Sequence, residues 1–380
     1  MARQPKLSNA EIEQVALLLT EYRMKQAEIA SLLGVSTATT TRAVKHALEN
    51  GLLFRKLELA KEVSPENRAA ANNLRKIPRV EEALKGLEKA HGTEHFQAIH
   101  VFDSGTTTQG YGDPIRIFAR PMAAYLSKQL ANPNLKILGV SWGITLLQIL
   151  IALRELIPPG FRKDNQIECL PISGSPPDAE KFNKTSSPNL AGAFSRLLNG
   201  DQGESSTFSV GSWIPHNFSS QETKVIRRFA FTSPSYYRAF KEGGTIHKLD
   251  CVLTSVGAIN DFSDLWLKAA ADATNLSRAE FSGLTVGNMA GCFLPKLGLS
   301  KSQRQILDRV NGRWLGIQVA HLRQCAQRAT KRAVPGVILT ATRAEKVPLV
   351  LEAIRHGLVN VLCCDFPLAK GLEAACAKTA

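Results

Sequence analysis

Two kinds of chemistry can be read from the residue types and their spacing. The first is anion or hydroxyl recognition. An apolar run, KILGVS (residues 136–141), leads into Trp142-Gly143-Ile144-Thr145 and then a helical pattern. A strand that turns through Ser141, Trp142 and Gly143 into a helix carrying Thr145 presents backbone N–H groups and a positive dipole end, which suit a phosphate or sugar hydroxyls. Taken singly, such a turn is equally a plain strand–helix connection. Similar turns stand at Ser255-Val256-Gly257-Ala258, Val286-Gly287-Asn288 and Cys364-Asp365, placed at strand ends or in loops between elements, where open α/β sheets bind ligands. Arg343 and Lys346 follow the run GVILTAT (336–342). Lys346 reads either as a solvated lysine at a helix start or as a phosphate-directed point charge. The expected effector-binding set is therefore Ser141, Trp142, Gly143, Thr145, Gly257, Gly287, Asn288, Arg343, Lys346 and Asp365.

The second chemistry is base reading. QAEIASLLGVSTATTTRAVKHALENGLL has the grammar of a helix-turn-helix: small Ala30 in the first helix, Gly34 to take positive φ at the turn, and Val35, Ala43, Val44 and Ala47 to anchor the second helix. Ser36 is its N-cap, and Asn50-Gly51 ends it. Thr37, Ala38, Thr39, Thr41, Arg42 and Lys45 are expected to face outward with Ser36 at the helix start. There threonine methyls and hydroxyls meet base edges and Arg42 takes guanine or a phosphate. Thr40 stands where an apolar residue is usual. The competing reading is an ordinary helical hairpin in a core.

These residues need elements to hold them. Residues 10–22 read as an amphipathic helix with Ile12, Val15, Ala16, Leu18 and Leu19 on one side, 26–33 as a second helix, and 52–59 as a strand or wing. Residues 60–95 are charged and helical. From about residue 96 short apolar runs alternate with helical stretches: strands are expected at 98–102, 136–141, 167–172, 251–257, 336–342 and 360–365. Helices are expected at 121–130, 145–156, 190–198, 302–308 and 346–356. That alternation predicts an α/β fold with a parallel sheet. The expected division is a helix-turn-helix domain at 1–60, a helical linker or dimerisation segment at 61–95, and a ligand-binding and oligomerisation domain at 96–380.

Composition narrows the class. The chain has 380 residues, 44% of them hydrophobic and 21% charged, with a formal net charge of +14. This is enough apolar material for two or three cores. The positive balance favours a polyanionic partner, but its distribution does not mark the helix-turn-helix. Residues 1–61 hold nine Lys/Arg against six Glu, and residues 301–350 hold ten against two acids, which suggests an anionic-ligand rim around Arg343 and Lys346. Seven cysteines show no CxxC pair, so neither a metal nor a cofactor is expected. The start lacks a secretion-signal pattern and no run reaches the length of a membrane span, so a cytoplasmic protein is expected.

The order of these pieces resembles the SorC/DeoR-type sugar-binding transcriptional regulators of bacteria. EIASLLGVSTATTTRAVKHALENGL, ILGVSWGITL, CLPISGS, DCVLTSVGAI, TVGNMAGCFLPKLG and VPGVILTATRAEKVPLVLEAIRHGLVNVLCCDFPLAKGL carry the likeness. It implies a Rossmann-like effector domain akin to sugar-phosphate isomerases and deaminases, assembled as a homodimer or homotetramer. It also implies operator DNA and a small sugar or sugar phosphate as partners. The sequence departs from the family at Thr342-Arg343, where a Gly-Gly pair is typical, at Asn288 and Pro295, where Asp is common, and at Cys364, where Thr is usual. Arg343 adds a cation beside Lys346 and favours an anionic ligand. An enzyme of the isomerase or deaminase class, drawing on Asp365, Asp261, His100 or His356, and a ligand-independent DNA binder are the alternatives.

Overall fold

In the computed structural model the described residues are 7–20, 22, 24–50, 52, 78–102, 104, 114–173, 183–200, 214, 217–258 and 275–377. Residues 53–59 of the expected wing and 61–77 of the linker lie outside them, as does Asp261.

The first three helices are α1 (Asn9–Thr20), α2 (Gln26–Leu33) and α3 (Thr37–Glu49). Each break has a local cause. Gly34 ends α2 at φ +64°, and the Val35 N–H returns to the Ala30 carbonyl at 2.9 Å. Ser36 then caps α3, its hydroxyl accepting the Thr39 N–H at 3.2 Å. Ile29, Ala43, Val44 and Ala47 close a small core with α1. The sequence pattern puts one face of α1 inward, but Val15, Ala16, Leu17, Leu18 and Leu19 are all buried. Five consecutive buried positions sweep the full circumference of a helix, so α1 has partners on every side.

After α4 (Pro78–Ala90) the α/β unit begins. Its strands are β1 (Ala98–Phe102), β2 (Ile137–Val140), β3 (Glu168–Pro171), β4 (Cys251–Ala258), β5 (Thr285–Met289), β6 (Cys292–Pro295), β7 (Gly336–Ala341) and β8 (Val361–Asp365). Six of them pair in parallel in the order β1-β8-β7-β4-β2-β3. Every parallel strand foreseen from the sequence is present.

Helices cover both faces. On one side α5 (Pro114–Leu130), α6 (Ile144–Leu156) and α7 (Ser187–Asn199) pack on the alternate residues Leu138, Val140, Leu253, Ile338 and Cys363. Four more helices follow in the chain: α8 (Ser220–Ala230), α9 (Pro234–Phe240), α10 (Arg278–Leu284) and α11 (Lys301–Gly312). The other face is covered by α4 with α12 (Val319–Arg332), α13 (Val347–Arg355) and α14 (Phe366–Ala377), which pack on Val252, Val337, Leu339, Leu362 and Cys364. The period-2 split of each strand between two apolar cores is why these strands read as continuous apolar runs.

Two expectations are corrected. Gly257 lies at a strand end as expected, but Gly287 and Asn288 sit inside a strand and not in a loop or at its end. The last three residues of β4 leave the parallel sheet and pair antiparallel with β5, Gly257 opposite Asn288 and Ala258 opposite Gly287, and β5 turns through Ala290-Gly291 into β6. The sheet is therefore mixed. Helix α5 starts at Pro114, seven residues ahead of Pro121, which lies inside it. Burial of Phe118, Ala119 and Met122 outweighs the hydrogen bond that a proline cannot donate.

Thr40 is completely buried in the helix-turn-helix core and its hydroxyl has no hydrogen-bond partner. Replacing that hydroxyl by a methyl of similar shape removes the desolvation cost, so Thr40→Val is expected to stabilise the chain by about 1 kcal/mol. Denaturant titration checks this, and a loss of stability would show the hydroxyl to be partnered in solution.

Candidate functional site: a carboxylate-centred crevice and a reader helix

The chain leaves β2 for α6 on one face of the sheet and leaves β7 and β8 for α13 and α14 on the other. The strand order reverses between β2 and β4, and the carboxyl ends of the strands there, where open α/β sheets bind ligands, form the candidate crevice. Ser141 and Gly143 follow β2: the Ser141 N–H donates to the Leu253 carbonyl at 3.1 Å and the Gly143 N–H to Thr185 at 3.0 Å. Gly143 has φ +130°, and a Cβ there would stand 3.3 Å from the Ser255 hydroxyl, so the β2 and β4 exits touch. Half-buried Trp142 packs edge-on against buried Trp314, ring centroids 5.7 Å apart, and half-buried Thr145 follows in the first turn of α6.

A second group of residues is built around Asp365, the last residue of β8. Its carboxylate is buried and accepts the Arg343 N–H with both oxygens at 3.0 Å, the Leu368 N–H at 3.0 Å and the Ser104 hydroxyl at 3.1 Å. One side chain thus ties the ends of β1, β7 and β8 to the first turn of α14. Burial is the largest influence on Asp365 and raises its pKa. The hydrogen bonds and the Lys346 ammonium oppose that shift without cancelling it. Lys346 is itself buried, which excludes the solvated helix-start reading. Arg343 sits at φ +79°, a conformation suited to glycine, held there by its bond to Asp365. Its guanidinium is exposed and meets Glu345 at 3.2 Å.

Asn288 and Gly287 are used structurally. The Asn288 side chain accepts the Gly291 N–H at 3.2 Å across the β5–β6 turn. A Cβ on Gly287 would lie 2.3 Å from the Gly257 carbonyl, so close backbone contact accounts for this glycine. The basic segment 301–350 is also divided. Arg328 donates to the Leu249 carbonyl, Arg332 pairs with Asp250 at 3.4 Å and Arg323 donates to His356. Arg328 and Arg332 serve the amino ends of the strands, and only Arg343 and Lys346 of this segment are placed here at the crevice.

On α3, Thr37, Ala38, Thr41, Arg42 and Lys45 are exposed and Ser36 is half-buried at the cap. Thr39 is corrected: it is buried, and its hydroxyl pairs with Ser36 at 2.9 Å, helping to close the cap. Thr41 donates to Gln26 at 2.7 Å, fixing α3 against α2. The Arg42 guanidinium folds back on Ala38 and Thr39, and Lys45 lies 3.7 Å from Glu49.

No protein-family model matches the chain, and no curated protein matches it. Solved structures do. The full-length sorbitol operon regulator SorC from Klebsiella pneumoniae aligns over 95% of this chain and 98% of its own, with a TM-score of 0.55 at 19% identity. The chain has the SorC-regulator fold. A DeoR family transcriptional regulator from Listeria monocytogenes (TM-score 0.52, 16% identity, 77% of this chain and 98% of that one) shares it. So does a transcriptional regulator from Streptococcus pneumoniae (0.53, 18%, 78% and 98%).

Within this SorC-type fold, Ser141, Trp142, Gly143 and Thr145 follow β2, and Arg343, Lys346 and Asp365 stand at the ends of β7 and β8, so all seven lie at the carboxyl ends of the parallel strands. Ser104, Thr185 and Trp314 were not foreseen, and Ser255 was read only as part of a strand-end turn. Each is an isolated polar or aromatic residue whose partner lies many tens of residues away, so no local spacing announces it. A cavity of about 580 Å³ lies at the opposite, amino-terminal edge of the sheet, lined by residues including His100, Tyr125, Gln129 and Asn132. His100 therefore faces away from the crevice. His356 follows the last turn of α13, 3.8 Å from Glu352. Among the described residues no three His, Cys, Asp or Glu side chains converge as a metal site requires, and no helix is long and apolar enough to cross a membrane.

Because the folded pKa of Asp365 is raised, the folded state binds its proton more readily than the unfolded state does. Its titration therefore contributes stability at pH below the ordinary carboxylate value, and this is lost as pH rises through the raised value. The stability difference between wild type and Asp365→Asn should fall across that interval and level off above it. Denaturation midpoints at a series of pH values check this, and a difference that grows with pH would contradict the burial-dominated shift.

Proposed function

We propose that this chain is a DNA-binding transcriptional regulator. Helices α1–α3 read operator DNA, and the carboxyl-end crevice takes a small anionic sugar derivative, such as a sugar phosphate, that modulates DNA binding. The observation that carries this reading is the match, over 95% of this chain and 98% of the other, to a full-length operon regulator, which spans reader and α/β unit together. The exposed Thr37, Ala38, Thr41, Arg42 and Lys45 give α3 the side chains for a major groove. Lys346 and Arg343 would supply cations, and the α6 turn N–H groups, for a phosphate. Two half-sites about one DNA turn apart require paired readers, so the working form is a homodimer or homotetramer acting in the cytoplasm.

A non-catalytic role is supported by the state of Asp365. Among the acids and histidines raised for catalysis, it is the one the described residues place in the crevice, and its oxygens are already committed to Arg343, Leu368 and Ser104. A general base needs an oxygen free for the substrate.

Gel shifts with DNA flanking the gene, with and without a panel of sugars and sugar phosphates, test the reading. A specific, salt-sensitive band is expected. Arg42→Ala should weaken it by roughly tenfold, as loss of one base or phosphate contact does. The double variant Arg343→Ala/Lys346→Ala should keep the band and lose the response to the phosphorylated sugar. Absence of any specific band would overturn the regulator reading. Loss of the band in the double variant would mean that the crevice cations touch DNA.

A further inference from the structure

Phe366 stands one peptide bond beyond Asp365 and opens α14. Its half-buried ring packs against two cores at once. One is the sheet-covering core that holds Leu362, Cys364 and Leu368. The other is the reader core of α1–α3, which includes Ala43, Val44 and Ala47 from the inner face of α3. The residue before it is the carboxylate at the strand ends, and the cluster it packs against includes the inner face of α3.

We propose that Phe366 is the positioning residue through which occupancy of the crevice reaches the reader, a coupling that rests on the crevice being the effector site. Three features of the structure support it. The Asp365 carboxylate accepts the Leu368 N–H, so it caps α14 and fixes the direction in which the helix leaves the sheet. The same carboxylate holds the Arg343 N–H, and Arg343 occupies a backbone conformation that costs energy and relaxes if that bond is given up. The buried neighbour Lys346 acts electrostatically on Asp365. An anion arriving between Arg343 and Lys346 competes with Asp365 for the Lys346 ammonium and for the exit of β7. The carboxylate then changes partners, the first turn of α14 changes direction, and the Phe366 ring moves against the reader core. Packed cores switch between discrete arrangements and do not deform smoothly, so a sub-ångström shift at the ring suffices to repack α1 and α3.

Hydrogen exchange on the full-length chain, read at peptides covering residues 343–347, α1 and α3, tests this in two arms. In the first, inorganic phosphate is titrated into wild type and into Phe366→Ala. In wild type, phosphate should slow exchange at 343–347 and change it at α1 and α3 by about threefold or more. In Phe366→Ala the first effect should persist and the second disappear. In the second arm, Asp365→Asn replaces the ligand as the perturbation. It should change exchange at α1 and α3 in the wild-type background, and add nothing in the Phe366→Ala background. Phe366→Leu, which keeps apolar contact, should retain a reduced response and guards against a reader that has simply loosened.

A response at 343–347 that never reaches α1 or α3 in wild type overturns the coupling and leaves the crevice reading standing. The coupling is likewise overturned if Phe366→Ala transmits either perturbation undiminished. No response to phosphate at 343–347 counts against the crevice as an anion site, and the Asp365→Asn arm then decides the coupling by itself.

Discussion

A single buried carboxylate holds the carboxyl ends of three parallel strands together. Asp365 gathers donors from the ends of β1 and β7 and from the first turn of α14. Parallel strands end in loops with no hairpin to join them, so their exits need a common acceptor. An ionised acid with four acceptor sites meets that need where a neutral side chain would satisfy fewer donors. The cost is desolvation, visible as the raised pKa, and it is offset only in part by charge-assisted hydrogen bonds and by the nearby Lys346 ammonium. The strained backbone of Arg343 and the departure angle of α14 both depend on this one group.

The α/β order was legible because a parallel sheet sandwiched between helices forces each strand to be apolar on both faces. GVIL within β7 and VLCC within β8 show this directly as unbroken apolar runs. Caps were equally legible: Ser36 and Gly34 act within three residues of themselves. The antiparallel extension was hidden, because TVGNM and CFLP are short and their pairing depends on β4 overrunning the parallel sheet. Helix α12 was hidden by its charge. Leu322, Cys325, Ala326 and Ala329 form a correct inward stripe, but the surrounding arginines and lysines masked it as a basic block.

The candidate site was legible in its residue types more than in its contacts. Arg343, Lys346 and Asp365 converge as their positions after β7 and β8 require, since neighbouring parallel strands deliver their exits side by side. Asn288 and Gly287 carry the same kind of signal, a small polar residue beside a glycine, yet serve a tight turn and a close backbone approach. Thr39 shows the same ambiguity on α3: a threonine three residues after an N-cap can face outward or close the cap, and here its hydroxyl meets Ser36. Local sequence cannot separate these uses, because the deciding partner is either a distant strand or a side-chain rotamer.

The all-round burial of α1 bears on how freely the reader could be transplanted. A helix-turn-helix is often treated as a cassette that can be cut out or grafted to another ligand-binding body. Here Leu17 and Leu18 are both fully covered, and Phe366 from the far end of the chain belongs to the same apolar cluster. Excising α1–α3 would strip that ring from the cluster, and a chimera would have to supply a matching aromatic at the corresponding place in its new host. The two halves of this chain are thus stitched by an aromatic contact spanning more than three hundred residues of sequence, and evolution could exchange either half only by carrying the stitch along.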